Sequence, residues 1–234
     1  MAAAMLLGAF GAQAGEEEIR RSITENAPQA KIISITKLPV GGLYQVVTAG
    51  FNIFYTDENG EIGIFGNMVD FKKKQNLTQM EKDRLTMVDF SKLPLDKAIV
   101  RVKGKGERKL ALFTDPDCPH CQGIEKELKS VDNVTIYTFL LPIADLHPDA
   151  TRKAQLVWCA KDKAKAWSDM MLKQKEPKGS NTQCDTPLKD IAEFAKQNNI
   201  DGTPGVIFTN GKLLFGNQPH ELIEKMLQAP ATKS

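Results

Sequence analysis

Two cysteines three positions apart, in FTDPDCPHCQGIEKEL from Phe113 to Leu128, sit where an apolar run ends and a helical pattern begins. Cys118 falls at the junction, and Pro119 takes the first helical position, where a missing N–H breaks no bond. A helix N-terminus leaves N–H groups unsatisfied and carries partial positive charge, so a thiolate there is favoured over a thiol. Cys118 should therefore be acidic, the more so beside a protonated His120. Cys121, one turn on, can donate its S–H to that thiolate or attack a mixed disulfide. The same spacing also serves metal sites and short staples. Zinc needs four ligands in tetrahedral reach, and the chain has no second C-x-x-C and no H-x3-H. A staple across so small a loop contributes little entropy. Redox exchange is the chemistry that the spacing fits, with no metal and no cofactor.

Around this motif the chain alternates strand and helix patterns: RKLALFTD, a helix from Cys118 to Ser130, then the strand NVTIYTFLLP. A helical block follows, Asp149 to Asp162 with Ala154, Leu156, Val157 and Ala160 inward, then Lys163 to Lys173 with Trp167, Met170 and Met171. Trp158 and Trp167 read as core. Thr186 and Pro187 open a helix bearing Leu188, Ile191, Phe194 and Ala195; GVIFTNGKLLFG reads as a hairpin on Asn210-Gly211; Pro219 opens the last helix. Residues 96–234 thus form an α/β domain with a helical insertion. Asp115 and Asp117 read as ordinary acidic complement to a helix start. His147 and His220 have no nameable partners.

The preceding part has another character. EEEIRRSITENA places Ile19 and Ile23 on one helix face, and KIISITKL, GLYQVVTAG, FNIFYTD and EIGIFGNMVDF read as strands, with a hairpin turn at Asp57–Gly60. This small domain, residues 15–75, has a thin core for its length and needs a partner surface, with a bondable strand edge around Phe51 to Tyr55. Thr78 and Glu81 form a capping-box pattern opening a linker helix, Leu77 to Leu93, within a connecting segment 76–95. Residues 1–14, MAAAMLLGAFGAQA, resemble the apolar end of a signal peptide lacking its basic start, with cleavage before Gly15.

Export puts the chain in an oxidising compartment. Four cysteines there suggest two pairs, leaving Cys159 with Cys184 in a structural role. With 31 Lys and Arg against 29 Asp and Glu, the net charge of +2 gives no footprint for nucleic acid. The runs Lys72–Lys74 and Arg101–Lys109 read as solvated faces.

Taken together, FTDPDCPHC, VWCAKDKAKAW, the later Cys184, DGTPGVIFTNGKLLFG and QPHELIEKML resemble the bacterial periplasmic disulfide isomerase family, DsbC and DsbG, over nearly the whole chain from residue 15. The resemblance implies an α+β fold: a small cystatin-like N-terminal dimerisation domain, a linker helix and a C-terminal thioredoxin-fold domain with a helical insertion. It further implies a homodimer in the periplasm, a Cys159–Cys184 disulfide, and misoxidised exported proteins as substrates. Cys118 would attack, Cys121 would resolve, and a cis-proline loop, Thr203 and Pro204, would contact substrate together with His120. The expected electron donor is a membrane reductant of the DsbD type. One departure is Pro119-His120 between the cysteines, a dipeptide more typical of DsbA oxidases. Two rivals therefore stand beside the isomerase: a disulfide oxidase, and a holdase whose cysteines are secondary.

Overall fold

The computed structural model describes residues 10–178 and 183–230. They fall into two compact units that meet between Leu85 and Thr86. Of the expected leader, residues 1–9 lie outside the described residues; from Phe10 the backbone is already helical.

In the first unit, α1 (Phe10–Asn26) lies on an antiparallel sheet of β1 (Ile32–Lys37), β2 (Tyr44–Thr48), β3 (Asn52–Thr56) and β4 (Gly63–Ile64), in that order. Ile19 and Ile23, four apart on the inner face of α1, pack against Ile35, Tyr44 and Val46. A second small cluster, Val47, Ile53 and Tyr55, fills the other face of the sheet. The turn between β3 and β4 is held by Asp57, whose Oδ1 accepts from the amides of Glu61 and Ile62. Gly60 there has φ 73°, and a Cβ on it would come within 2.9 Å of the Ile19 backbone, so both conformation and space require glycine.

Three local expectations need correction in this unit. EIGIFGNMVDF is not one strand: β4 stops at Ile64, and the chain resumes as β5 (Val69–Asp70), paired with β6 (Gln75–Asn76). Helix α2 (Leu77–Leu85) is capped not by Thr78 but by Asn76, whose Oδ1 accepts from the Gln79 amide. Thr78 is instead buried, its hydroxyl bonded to the Tyr55 hydroxyl and accepting from the Met68 amide, while Glu81 turns to Arg84. Nor does the helix run to Leu93. Beyond Leu85 the backbone finds better partners in the second unit: the Leu213 amide donates to Thr86, and the Val88 amide donates to Gly211. Asp89 then caps a single 3-10 turn at Phe90–Lys92.

The second unit is built on a five-stranded sheet formed by β7 (Ile99–Lys103), β8 (Arg108–Thr114), β9 (Val134–Leu140), β10 (Gly205–Phe208) and β11 (Leu213–Phe215). Its order is β11-β10-β8-β9-β7, with only β8 and β9 parallel. Between β8 and β9 runs α3 (Pro119–Leu128); α4 (Ala150–Trp158), α5 (Lys163–Lys173) and α6 (Leu188–Gln197) follow β9, and α7 (His220–Leu227) is the last element among the described residues. Strand β8 is apolar on both faces because both are covered. Leu110 and Leu112 pack with Ile124 and Leu128 of α3 and Ile223 and Leu227 of α7. Ala111 and Phe113 face the other way, to Ile191 and Ala195 of α6.

The insertion α4–α5 brings Ala154, Val157, Trp167, Met170 and Met171 into a third cluster, which contains both Cys118 and Cys121. Trp167 is core as read. Trp158 lies at the edge of the same cluster: it is only partly buried, donates Nε1–H to the Asp185 carbonyl, and carries Lys163 Nζ 3.7 Å above its ring. Two further readings shift. The N-cap of α6 is Pro187 itself, with no side-chain cap from Thr186. Arg101 is not a solvated charge; it lies in β7 and reaches a buried carboxylate beneath α3.

Candidate active site

The apolar β8 drives the chain to the end of the sheet, and Asp115-Pro116-Asp117 turns it into α3. Cys118 becomes the N-cap residue, with extended backbone (φ −74°, ψ 121°), and Pro119 opens the first turn. The Gln122 amide bonds back to the Cys118 carbonyl, which starts the helix and leaves the amides before it directed at the sulfur end. Both cysteines are free thiols; Cys118 is 5 % exposed and Cys121 0 %.

Cys118 Sγ donates to the Thr203 carbonyl oxygen at 3.5 Å. The Thr203–Pro204 bond is cis, Pro204 is buried, and Thr203 is half-buried beside the sulfur. His120 is exposed on the first turn of α3. Chain segments 85 positions apart therefore meet at one sulfur.

Cys121 lies beneath. Burial pushes its thiol up from an ordinary 9.0 to about 12; the Asp115 amide, which donates to Sγ at 3.5 Å, and the neighbouring Thr114 hydroxyl pull the other way, while the charge and hydrogen bond of Cys118 push it higher. Because the folded value exceeds the unfolded one, burial of this thiol is fully favourable at neutral pH. That contribution is lost as pH rises from about 9 toward 12. Cys121 thus holds its proton at neutral pH.

Asp115 is not dipole complement. It is wholly buried, and its carboxylate accepts from the Asp117 amide at 2.7 Å and the Ile143 amide at 2.7 Å, and meets His147 Nδ1 at 3.1 Å. Its carbonyl accepts from the Cys118 amide. One residue thereby fastens the turn, the first cysteine, the second sulfur and the loop after β9. Asp117 pairs with Lys153 of α4. His147, unassigned in the sequence, has its partner here; His220 is near Glu224, and its amide donates to Glu127 at 3.0 Å.

A second buried carboxylate escaped the sequence reading. Glu125, one turn beyond Cys121, takes both Arg101 guanidinium nitrogens at 2.7 Å and Trp167 Nε1 at 2.7 Å. A signal was present, since 121, 124, 125 and 128 share the inward face of a helix, and a glutamate there requires a partner. Cys159 and Cys184 stand apart from the thiol pair and are bonded to each other, with Cα atoms 5.7 Å apart, joining the end of α4 to the segment before α6. Among the described residues no three or more His, Cys, Asp or Glu side chains gather as a metal site, and no helix is long and apolar enough to cross a membrane.

Residues 10–79 match the family model of the disulfide bond isomerase protein N-terminal domain, and residues 95–230 match a thioredoxin-like domain. A probable thiol:disulfide interchange protein DsbC of Bordetella parapertussis is 35 % identical over 196 residues, 84 % of this chain and 68 % of the relative. The thiol:disulfide interchange protein DsbC of Escherichia coli K12 is 28 % identical over 227 residues, 95 % of this chain and 92 % of the relative. Among solved structures, a disulfide interchange protein from Neisseria gonorrhoeae is 45 % identical, with a TM-score of 0.55, and covers 58 % of this chain and 100 % of its own. Both domain matches and the span of these relatives point one way: the chain belongs to the DsbC family of thiol:disulfide interchange proteins.

Proposed function

We propose that this protein is a thiol–disulfide isomerase that rearranges wrong disulfides in exported proteins, with Cys118 as nucleophile and Cys121 as resolving thiol. The observation that carries this reading is the asymmetry of the pair: an N-cap sulfur facing the Thr203 carbonyl above, and a fully buried thiol below with a pKa of about 12. The Cys118 thiolate attacks a substrate disulfide, an enzyme–substrate S–S bond forms, and the displaced substrate sulfur leaves with the electron pair and takes a proton. A second substrate thiol then attacks the mixed disulfide and frees Cys118 with no net oxidation. Where none arrives, Cys121 attacks Cys118 Sγ, the substrate leaves reduced, and the enzyme disulfide must be reduced again, for which a membrane reductant of the DsbD type is the proposed donor. Thr203 and Pro204 form one wall of the substrate site, with His120 at its mouth. The periplasm is the proposed compartment.

A second reading rests on Pro119-His120. A dipeptide that stabilises the thiolate favours the dithiol form and makes the disulfide a stronger oxidant. Refolding separates the two. With reduced enzyme and a scrambled multi-disulfide substrate, an isomerase restores native pairing without added oxidant. Failure there, together with rapid oxidation of a reduced substrate by the disulfide form, would overturn the isomerase in favour of the oxidase.

The first unit is proposed to pair two copies. Strand β4 covers only Tyr55 and Thr56 of β3, and Ile62, Phe65 and Phe71 are exposed nearby, the last 88 %. Pairing strand edges would bury these side chains and satisfy the backbone. Sedimentation at micromolar concentration is expected to give a dimer for the full chain and a monomer for residues 86–234. A monomeric full-length chain contradicts the proposal.

A further inference from the structure

Strand β8 sends its even-numbered side chains under α3, and by the two-residue period Thr114 follows Leu110 and Leu112 onto that face. The amide of the next residue, Asp115, meets the Cys121 sulfur at 3.5 Å, and the Thr114 hydroxyl is among the groups that act on that sulfur. Thr114 is 0 % exposed, and its Oγ1 is the one buried side-chain oxygen or nitrogen among the described residues with no hydrogen-bond partner. Such a group destabilises a fold, and folded proteins rarely keep one without a reason. Valine would fill the same volume without the unbonded hydroxyl.

We infer that the Thr114 hydroxyl is a hydrogen-bond donor held for the Cys121 thiolate, used when the buried cysteine resolves a mixed disulfide. The assignment rests on the resolving role proposed for Cys121. A thiol is a weak acceptor, so in the dithiol state the hydroxyl stays uncommitted. A thiolate is a strong acceptor, and a charge-assisted bond then forms. The other groups around this sulfur are engaged elsewhere: the Asp115 carboxylate by Asp117, Ile143 and His147, and Glu125 by Arg101 and Trp167. That leaves the Asp115 amide and the Thr114 hydroxyl, the two groups that lower the Cys121 pKa against burial. Once Cys118 is tied into a mixed disulfide its charge is gone, and these two donors face the remaining thiolate. As Cys121 attacks, the S–S bond to Cys118 forms and the bond from Cys118 to the substrate breaks. The substrate sulfur departs with the electron pair and takes up the proton that Cys121 gave up. The cysteine pair is oxidised and the substrate is reduced by two electrons.

The test uses the full chain with Thr114→Val, which keeps shape, and Thr114→Ser, which keeps the hydroxyl. Reduced enzyme is mixed with oxidised glutathione and acid-quenched over time, so that attack by Cys118 and resolution by Cys121 are timed separately. Thr114→Val should slow resolution about tenfold, the weight of one hydrogen bond to a charged group, and Thr114→Ser should resolve at nearly the parent rate. In a Cys118→Ala background, alkylation of Cys121 at fixed pH should fall by a similar factor, about tenfold, in Thr114→Val alone. Parent rates in Thr114→Val for both measurements overturn the assignment. Equal slowing in valine and serine variants also overturns it, since loss of packing is then the cause. If the parent enzyme fails to rearrange a scrambled substrate but the alkylation rate still responds to Thr114→Val, the isomerase reading falls and the donor assignment stands.

Discussion

Replacement of Cys118 by alanine is expected to abolish disulfide rearrangement, whereas replacement of Cys121 leaves an enzyme that forms mixed disulfides and fails to clear those that stall. The two sulfurs differ in access and in setting. Cys118 is the member of the pair with surface, at the positive end of α3 and against the Thr203 carbonyl. Cys121 has no surface, and with its thiol pushed up to about 12 it is almost wholly protonated at neutral pH. Removing the nucleophile should therefore reduce turnover of a scrambled substrate by roughly a thousandfold or more. The Cys121→Ala enzyme should instead accumulate a covalent adduct visible on a non-reducing gel after acid quench. A Cys118→Ala protein that keeps most of its refolding effect would make this a holdase, and adducts trapped by Cys118→Ala rather than Cys121→Ala would reverse the roles.

The second large effect is on stability. Glu125→Ala is expected to destabilise the second unit by about 3–5 kcal/mol, because it leaves the Arg101 guanidinium and the Trp167 N–H in a nearly dry site without their acceptor. Breaking a buried pair by removing one partner is costly even where the intact pair contributes little, so the companion experiment replaces both. Glu125→Leu with Arg101→Met should recover most of the loss, with a coupling of one to several kcal/mol in the cycle, on the order of that seen between contacting residues. Both tryptophans, Trp158 and Trp167, belong to the second unit. Fluorescence-monitored urea unfolding therefore reads that unit without interference from the first. A change below about 1 kcal/mol for Glu125→Ala, the size expected of an exposed pair, would show that water reaches the carboxylate.

Much of the site could be read from the chain because its placement is local. An apolar strand, three turn residues, a cysteine and a proline specify an N-cap sulfur within a few positions, whereas the meeting of the Thr203-Pro204 loop with that sulfur followed only from the family resemblance. Helix faces were legible wherever apolar spacing was regular, as for Ile19 and Ile23 or Trp167, Met170 and Met171. What escaped depends on partners far along the chain. Arg101 was read as part of a basic, solvated run, and its acceptor is 24 positions away. Asp115 carries the residue type of a helix start, and only the approach of Ile143 and His147 turns it into a buried tie. Thr78 shows the opposite failure: the local capping pattern is real, but a tyrosine hydroxyl 23 positions earlier takes the threonine, and Asn76 caps in its place.

The stretch from Thr86 to Val88 does more than connect. It hydrogen-bonds alongside the hairpin that ends in β11, with Met87 bridged to Lys212 in antiparallel fashion. That is the outer flank of the five-stranded sheet, where an unpaired strand would offer its backbone to any extended chain that came near. A protein proposed to handle unfolded, sticky polypeptides meets such chains constantly. By arriving along this flank the polypeptide acts as its own selvedge: the backbone at Gly211 to Leu213, where β11 begins, is already bonded and offers less to an extended chain than a bare margin would.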